Sequence, residues 1–65
     1  MSREMVEFGD VLCKHETTDA LLCEIDGEKV WIPKSQIGDD SEVCKPDDRG
    51  NLVITEWIAL EKELI

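Results

Sequence analysis

The stretch ALLCEIDGEKVWIPKSQI, residues 20–37, holds two apolar runs on either side of Asp26-Gly27. Alternate positions in Ala20–Ile25 are apolar, which predicts a strand with one face turned to the core. An Asp-Gly pair between apolar runs favours a two-residue hairpin turn, because both central residues of that turn adopt positive φ. Residues Lys29–Ile32 are therefore expected to return as the second strand of a hairpin.

The end of this stretch, VWIPKSQI, predicts a strand that stops and turns. Val30 and Ile32 share one face of the strand, so Trp31 points to the other. There Trp31 either caps a small cluster or stands exposed as an anchor for a partner. Pro33 has no N–H to donate and ends regular pairing. The next four residues are enough for one helical turn that returns Ile37 to the core.

The flanking segments predict three more strands. Val6–His15 is expected to join the hairpin through a polar turn, and Ser41–Lys45 is expected to pair with Leu52–Thr55. The segment between the last two, PDDRGN at residues 46–51, is rich in residues that favour turns.

The last ten residues, Glu56–Ile65, change period. Trp57, Leu60 and Leu64 lie at i, i+3 and i+7, which predicts a short helix with these three side chains on its apolar face. Thr55 is a candidate N-cap because its hydroxyl can accept a hydrogen bond from the first turn.

The predicted fold is mainly β, in a single small domain over residues 1–65. Five short strands in meander order indicate a small five-stranded SH3-like barrel or a strongly bent antiparallel sheet, with a short C-terminal helix. Closure would remove the exposed strand edges that so small a sheet could not otherwise protect.

The charge of the chain restricts its partners. Sixteen acidic residues against seven basic ones give a formal net charge of −9. Nucleic acid and anionic lipid would be repelled, since binding to phosphates normally requires Lys and Arg. A protein with a basic, nucleic-acid-binding surface is a better match, and solubility is the simpler explanation of the same acidity.

The sequence also indicates where the chain resides. No apolar run is long enough to cross a bilayer, and no basic segment followed by an apolar one marks a signal peptide. An odd number of cysteines without such a signal argues for reduced thiols. We therefore expect a cytoplasmic protein.

The densest group of acids predicts a binding surface. A rigid β scaffold spaces its carboxylates a few ångströms apart and can imitate a row of phosphates. Small phage proteins that block host defence complexes, some CRISPR inhibitors among them, have this size and charge, which is an analogy only. The acids expected to bind the partner are Asp39, Asp40, Glu42, Asp47 and Asp48. The apolar anchor is expected to be Trp31, or else Trp57.

The run ALLCEIDGEKVWIPKSQI, followed by DSEV and GNLVITEWIA, resembles a family of small bacterial and phage-borne proteins with a W-I-P-K-S-Q-I core. The resemblance covers roughly residues 19–59. It implies a compact β-rich fold and an origin on a phage or another mobile element. It implies no catalytic residues, because the family has no established activity.

Two structural alternatives remain open. Cys13, His15, Cys23 and Cys44 could hold a structural zinc ion, with the first two on one face of a strand, although no Cys-x₂₋₄-Cys knuckle is present. The chain could instead be a homodimeric assembly module that buries Trp31 and hides a sheet edge.

Catalysis is not predicted, and no cofactor is expected. Ser35 would need a base beside it, and His15, the single histidine, has no fixed relation to it in the sequence. Cys13 with His15 lacks the basic surroundings that would lower the thiol pKa. We therefore expect a non-enzymatic protein-binding module.

Overall fold

The structure, a computed structural model, describes residues 4–65. Four strands form an antiparallel sheet in the order β3-β2-β1-β4, so the prediction of a mainly β chain with a short C-terminal helix is confirmed. No helix among residues 4–65 has the length and apolar character needed to cross a membrane. The elements in chain order are β1 (Met5–Glu16), β2 (Ala20–Ile25), β3 (Glu28–Pro33), a 3₁₀ turn (Lys34–Gln36), β4 (Arg49–Thr55) and α1 (Glu56–Glu61).

The central hairpin has the predicted two-residue turn. Asp26 and Gly27 both have positive φ, 51° and 84°, as a two-residue turn between right-twisted strands requires. The pairing runs from Ile25 opposite Glu28 to Ala20 opposite Pro33. After β3, the 3₁₀ turn reverses the chain.

β1 contains a bulge where it pairs with β4. Phe8 pairs with Leu52 and Val11 pairs with Gly50, so β1 carries one residue more than β4 over this interval. Asp10 has φ of 55° within the bulge. The extra residue lets Phe8 and Val11 both face the core despite their odd spacing, and it sharpens the local twist.

A second irregularity in β1 changes the face of His15. Cys13 pairs with Cys23, but His15 pairs with the adjacent Leu22, so Lys14 is an extra residue. Cys13 is fully buried while His15 is exposed. The prediction that Cys13 and His15 share a face is therefore wrong, because the bulge resets the alternation between them.

The segment before β4 does not form the predicted fifth strand. Ser41–Lys45 contains no strand, because local side chains capture its main-chain groups. The carboxylate of Asp48 accepts hydrogen bonds from the amides of Cys44 (3.0 Å) and Lys45 (3.1 Å). These two amides are thereby bonded locally and not to a neighbouring strand.

The same segment nevertheless covers the outer edge of β4. Gly38 N donates to Val53 O at 2.8 Å, and Glu42 N donates to Asn51 O at 2.9 Å. In return, Asn51 N donates to Glu42 Oε1 at 2.8 Å, and Val53 N donates to Ser41 Oγ at 3.3 Å. The side chains of Glu42 and Ser41 thus accept the hydrogen bonds that the carbonyls of a neighbouring strand would accept. The sheet among residues 4–65 therefore has four strands and is open, so a five-stranded barrel is not confirmed.

The core lies on one side of the bent sheet, under the segment before β4 and the helix. Its buried hydrophobic members come from all of these elements. They are Val11, Cys13, Leu21, Cys23, Ile25, Ile32, Val43, Leu52, Ile54, Ile58 and Ala59. Ile37 packs against this core and bridges to Ile54, as its predicted return requires.

The helix begins as predicted but presents a different face. Thr55 is the N-cap, and its hydroxyl accepts a hydrogen bond from Ile58 N at 3.3 Å. Because Thr55 is only 4% exposed, the residues three and four positions later, Ile58 and Ala59, also face the core. Trp57 and Leu60 are consequently 60% and 55% exposed, so the predicted apolar face is wrong for both.

Ser41 is the residue whose loss should open the edge of β4. Its buried hydroxyl accepts from the amides of Val43 and Val53 and donates to Val43 O. We expect Ser41→Ala to reduce the free energy of unfolding by about 2 kcal/mol, since two amides lose their acceptor. Chemical denaturation measures this change. The exposed Ser35, whose hydroxyl makes no hydrogen bond within residues 4–65, provides the control: Ser35→Ala should change stability by less than about 0.5 kcal/mol. Equal effects of the two substitutions would contradict the role given to Ser41.

Candidate functional site

The acidic residues all lie at the surface. None of the sixteen acidic residues is buried, and all except Glu24 and Asp48 are exposed. Within residues 4–65 four of them form ion pairs, namely Glu24 with Lys14, Glu16 with Lys34, Asp48 with Lys45, and Asp10 with Arg49. Because the pairs are exposed, they add little stability, and the net negative field of the surface remains.

Five acids predicted to bind a partner share one segment, residues 39–48, which we name the acidic loop. Asp39 and Asp40 form an exposed turn, and Asp47 is exposed with φ of 73°. The carboxylates of these three residues accept no hydrogen bond from residues 4–65. They are therefore available to a partner.

The other two acids of the acidic loop hold its shape. Glu42 Oε1 accepts from Asn51 N, and Asp48 Oδ2 accepts from two amides within the loop. The hydrogen bond from Cys44 N, followed by that from Lys45, lowers the pKa of Asp48 below its usual value. Glu42 and Asp48 therefore have structural roles beside any role in binding.

The far end of the acidic loop is attached to β1. Asp47 N donates to Cys13 O, and Cys13 N donates to Asp48 O, both at 2.9 Å. Together with the hydrogen bonds of Gly38 and Glu42 to β4, these contacts hold the loop at both ends. Its carboxylates are thus displayed on a fixed backbone.

Trp31 lies on the opposite face of the sheet from the core. It is 41% exposed and meets the ring of His15 edge-on, with centroids 6.2 Å apart and planes at 84°. The contact depends on the bulge at Lys14, which turns His15 to this face. Trp31 is thus both part of a small cluster and partly open to solvent.

A groove that the sequence does not predict lies beside α1. It has a volume of about 560 Å³, is open to solvent, and is lined by Glu4, Gln36, Thr55, Glu56, Trp57 and Leu60. The sequence pattern placed Trp57 and Leu60 on one apolar face of the helix and offered Trp57 as an alternative anchor for a partner. The buried N-cap is the signal that could have predicted the groove. When Thr55, Ile58 and Ala59 face the core, the side chains of Trp57 and Leu60 must face the solvent.

The cysteines do not form the predicted zinc alternative. Cys13 and Cys23 are opposite each other in the core, whereas Cys44 and His15 are exposed on other parts of the surface. Burial raises the pKa of the Cys23 thiol to about 12 and also raises that of Cys13. Within residues 4–65 no three His, Cys, Asp or Glu side chains are grouped to hold a metal ion.

A smaller polar hollow of about 250 Å³ lies between the β1 bulge and the hairpin turn. Its acids are Asp10, Glu24 and Asp26, and Arg49 also lines it. Arg49 donates to both carboxylate oxygens of Asp10, at 2.8 and 3.3 Å, and this pairing lowers the pKa of that carboxyl. The arrangement ties β4 to the bulge across the strand pair.

Comparisons with protein-family models, curated proteins and solved structures give no significant match. The resemblance of the WIPKSQI stretch to a family therefore stays a prediction. Any function is therefore proposed from the chemistry of the acidic loop, of Trp31 and of the groove beside α1.

The hydrogen bonds to Asp48 predict a specific pH dependence. Because the folded state lowers the pKa of this carboxyl, its stabilising effect is present above the unfolded pKa of about 4. The effect is lost as the pH falls through the lower folded pKa. Asp48→Asn should therefore lower the melting temperature at pH 7 and have a much smaller effect near pH 2.5.

The matched control is Asp47→Asn. The neighbouring Asp47 carboxylate makes no hydrogen bond within residues 4–65, and Asn tolerates its positive φ. Thermal unfolding followed by circular dichroism from pH 7 to pH 2.5 compares the two variants with the wild type. If Asp48→Asn lowers the melting temperature by the same amount at every pH, the charge of the Asp48 carboxylate is not what holds the loop.

Proposed function

We propose that this chain is a non-enzymatic protein-binding module whose acidic loop occupies a basic, nucleic-acid-binding surface of another protein. The observation that carries the proposal is the combination of free carboxylates and a fixed backbone. The carboxylates of Asp39, Asp40 and Asp47 accept no hydrogen bond within residues 4–65, while the loop that bears them is attached to β4 at one end and to β1 at the other.

Electrostatics supports this choice of partner. A net charge of −9 on 65 residues repels nucleic acid and attracts basic surfaces over roughly 8 Å at physiological ionic strength. Charge complementarity of this kind raises association rates and favours partners of opposite sign. Pre-ordering the loop lowers the entropy lost on binding.

The expected consequence is competition with nucleic acid. A partner that uses its basic surface to hold DNA or RNA phosphates cannot hold the acidic loop at the same time. A host defence complex inhibited by a phage-encoded protein is one case within this proposal, in a cytoplasmic setting.

The proposal predicts which acids determine binding. Replacing Asp39, Asp40 and Asp47 together by Asn removes three free charges and leaves Glu42 and Asp48 to hold the loop. At about 0.5 kcal/mol for each exposed contact, affinity should fall roughly tenfold. The matched control replaces three exposed acids outside the loop, as Glu7→Gln, Asp19→Asn and Glu28→Gln, and removes the same charge.

Affinity capture tests this prediction. The tagged wild type and both triple variants are incubated with nuclease-treated bacterial lysate, and the retained proteins are identified by mass spectrometry. Wild type and control should retain basic nucleic-acid-binding proteins that a double-stranded oligonucleotide displaces, and the loop variant should lose them. Equal retention by both triple variants, or no displacement by the oligonucleotide, would overturn the proposal.

Self-association is a second candidate function, favoured by the free edge of β3. Lys29 and Trp31 turn their main-chain groups away from β2, and within residues 4–65 these groups bond to no segment outside the sheet. An edge of this kind can pair with a second copy and cover Trp31. Sedimentation equilibrium separates the cases: the first candidate requires the 7.4 kDa monomer, and the second requires twice that mass.

A further inference from the structure

The groove beside α1 combines exposed apolar side chains with an acidic rim. Trp57 and Leu60 are three residues apart on the helix, so they lie on the same outward side. Glu4 and Glu56, both exposed, line the same groove. Large exposed apolar side chains surrounded by polar ones commonly mark sites of protein interaction.

Hydrogen bonds among the lining residues hold part of the groove in a fixed arrangement. Glu56 N donates to Glu4 O at 2.8 Å, which fixes the two acidic residues of the rim relative to each other. Thr55 Oγ1 donates to Gln36 Oε1 at 2.7 Å and accepts from Ile58 N. Because these polar atoms are bonded to one another, the Thr55 hydroxyl keeps its hydrogen bonds when an apolar group enters the groove.

We propose that this groove binds a basic amphipathic peptide segment of a partner protein. Two apolar side chains of the segment would pack against Trp57 and Leu60, and flanking Lys or Arg residues would face Glu4 and Glu56. This proposal rests on the function proposed above. There the acidic loop recognises the partner by charge alone, and here the groove adds an apolar contact with the same partner.

The charge of the groove selects this occupant. Nucleic acid and anionic lipid would bring further negative charge to a chain of net charge −9, and so would a second copy of the chain. An uncharged apolar ligand would leave Glu4 and Glu56 without partners. A basic amphipathic segment satisfies both parts of the site, in the manner of a helix laid into a groove.

The position of the groove also fits a shared partner. Gln36 lines the groove, and the acidic loop begins three residues later at Asp39. A basic protein could therefore contact the loop and the groove with neighbouring parts of its surface. Aromatic anchors such as Trp57 commonly contribute a large part of the binding energy in such interfaces.

Fluorescence of Trp57 gives a direct test in the full chain. Trp31→Phe leaves Trp57 as the single tryptophan. The variant is titrated with a 12-residue peptide of alternating Leu and Lys pairs, acetylated and amidated, and with an oligolysine of the same charge. The amphipathic peptide should produce a saturable blue shift of the emission, because it removes the indole from water, whereas oligolysine should not.

Side-chain truncation then locates the site. For this test the amphipathic peptide is labelled, so that its binding can be followed without Trp57. Trp57→Ala and Leu60→Ala should each reduce the affinity for this peptide at least about tenfold, as expected for central anchors. Both changes keep a good helix former in α1, so the fold should persist. Ile65→Ala, at an equally exposed apolar residue outside the groove, is the matched control and should change affinity less than about twofold.

The outcomes separate the two proposals. Oligolysine binding that depends on Asp39, Asp40 and Asp47 but not on Leu60 would support the acidic loop independently of the groove. No saturable shift of Trp57 emission, or peptide affinity unchanged by Leu60→Ala, would overturn the groove proposal. Peptide binding at the groove without any effect of the three loop acids on oligolysine would instead overturn the function proposed for the loop.

Discussion

The outer edge of β4 is the constraint on which the rest of the structure depends. A four-stranded open sheet has two edges, and an exposed edge invites pairing with other chains. Here the Ser41 hydroxyl and the Glu42 carboxylate accept the amides of Val53 and Asn51, and two amides of the same segment reach the β4 carbonyls. These bonds place Val43 in the core and fix the acidic loop above the sheet.

Much of the fold follows from local sequence because local chemistry determines it. The Asp26-Gly27 turn and the alternation in β2 were sufficient to predict the hairpin, since only a few residues can adopt two successive positive φ angles. Pro33 and Ile37 likewise predicted the turn after β3 and the return to the core. Thr55 predicted the start of the helix because its hydroxyl serves the first turn directly.

The structure differs from the sequence-based predictions where packing or side-chain hydrogen bonds decided between conformations that the local sequence allows. A six-residue helix has too few apolar positions for periodicity to fix its face, and burial of Thr55 fixed it instead. One extra residue, Lys14, reversed the face of His15. The segment at residues 41–45 resembles a strand in composition, but the nearby side chains of Ser41 and Asp48 accept hydrogen bonds from three of its amides. The groove beside α1 was missed for the same reason as the helix face.

In the function we propose, the two candidate surfaces have different tasks. The acidic loop would supply long-range attraction and select basic partners, whereas the groove would supply an apolar contact whose strength does not depend on charge alone. Gln36 joins them, since it bonds to Thr55 within the groove and precedes the loop by three residues. The stretch VWIPKSQI therefore ends a strand, reverses the chain and, through Gln36, lines the groove beside α1.

The central claim is that the acidic loop is held on β4 before any partner binds. Native-state hydrogen exchange followed by NMR tests it most directly at the amides of Asn51 and Val53, whose acceptors are the side chains of Glu42 and Ser41. The account predicts protection approaching that of the core amides of Leu52 and Ile54, which should open only with the whole domain. Exchange of Asn51 and Val53 at the rate of an unfolded peptide would show that the loop is detached in solution, and would contradict the account.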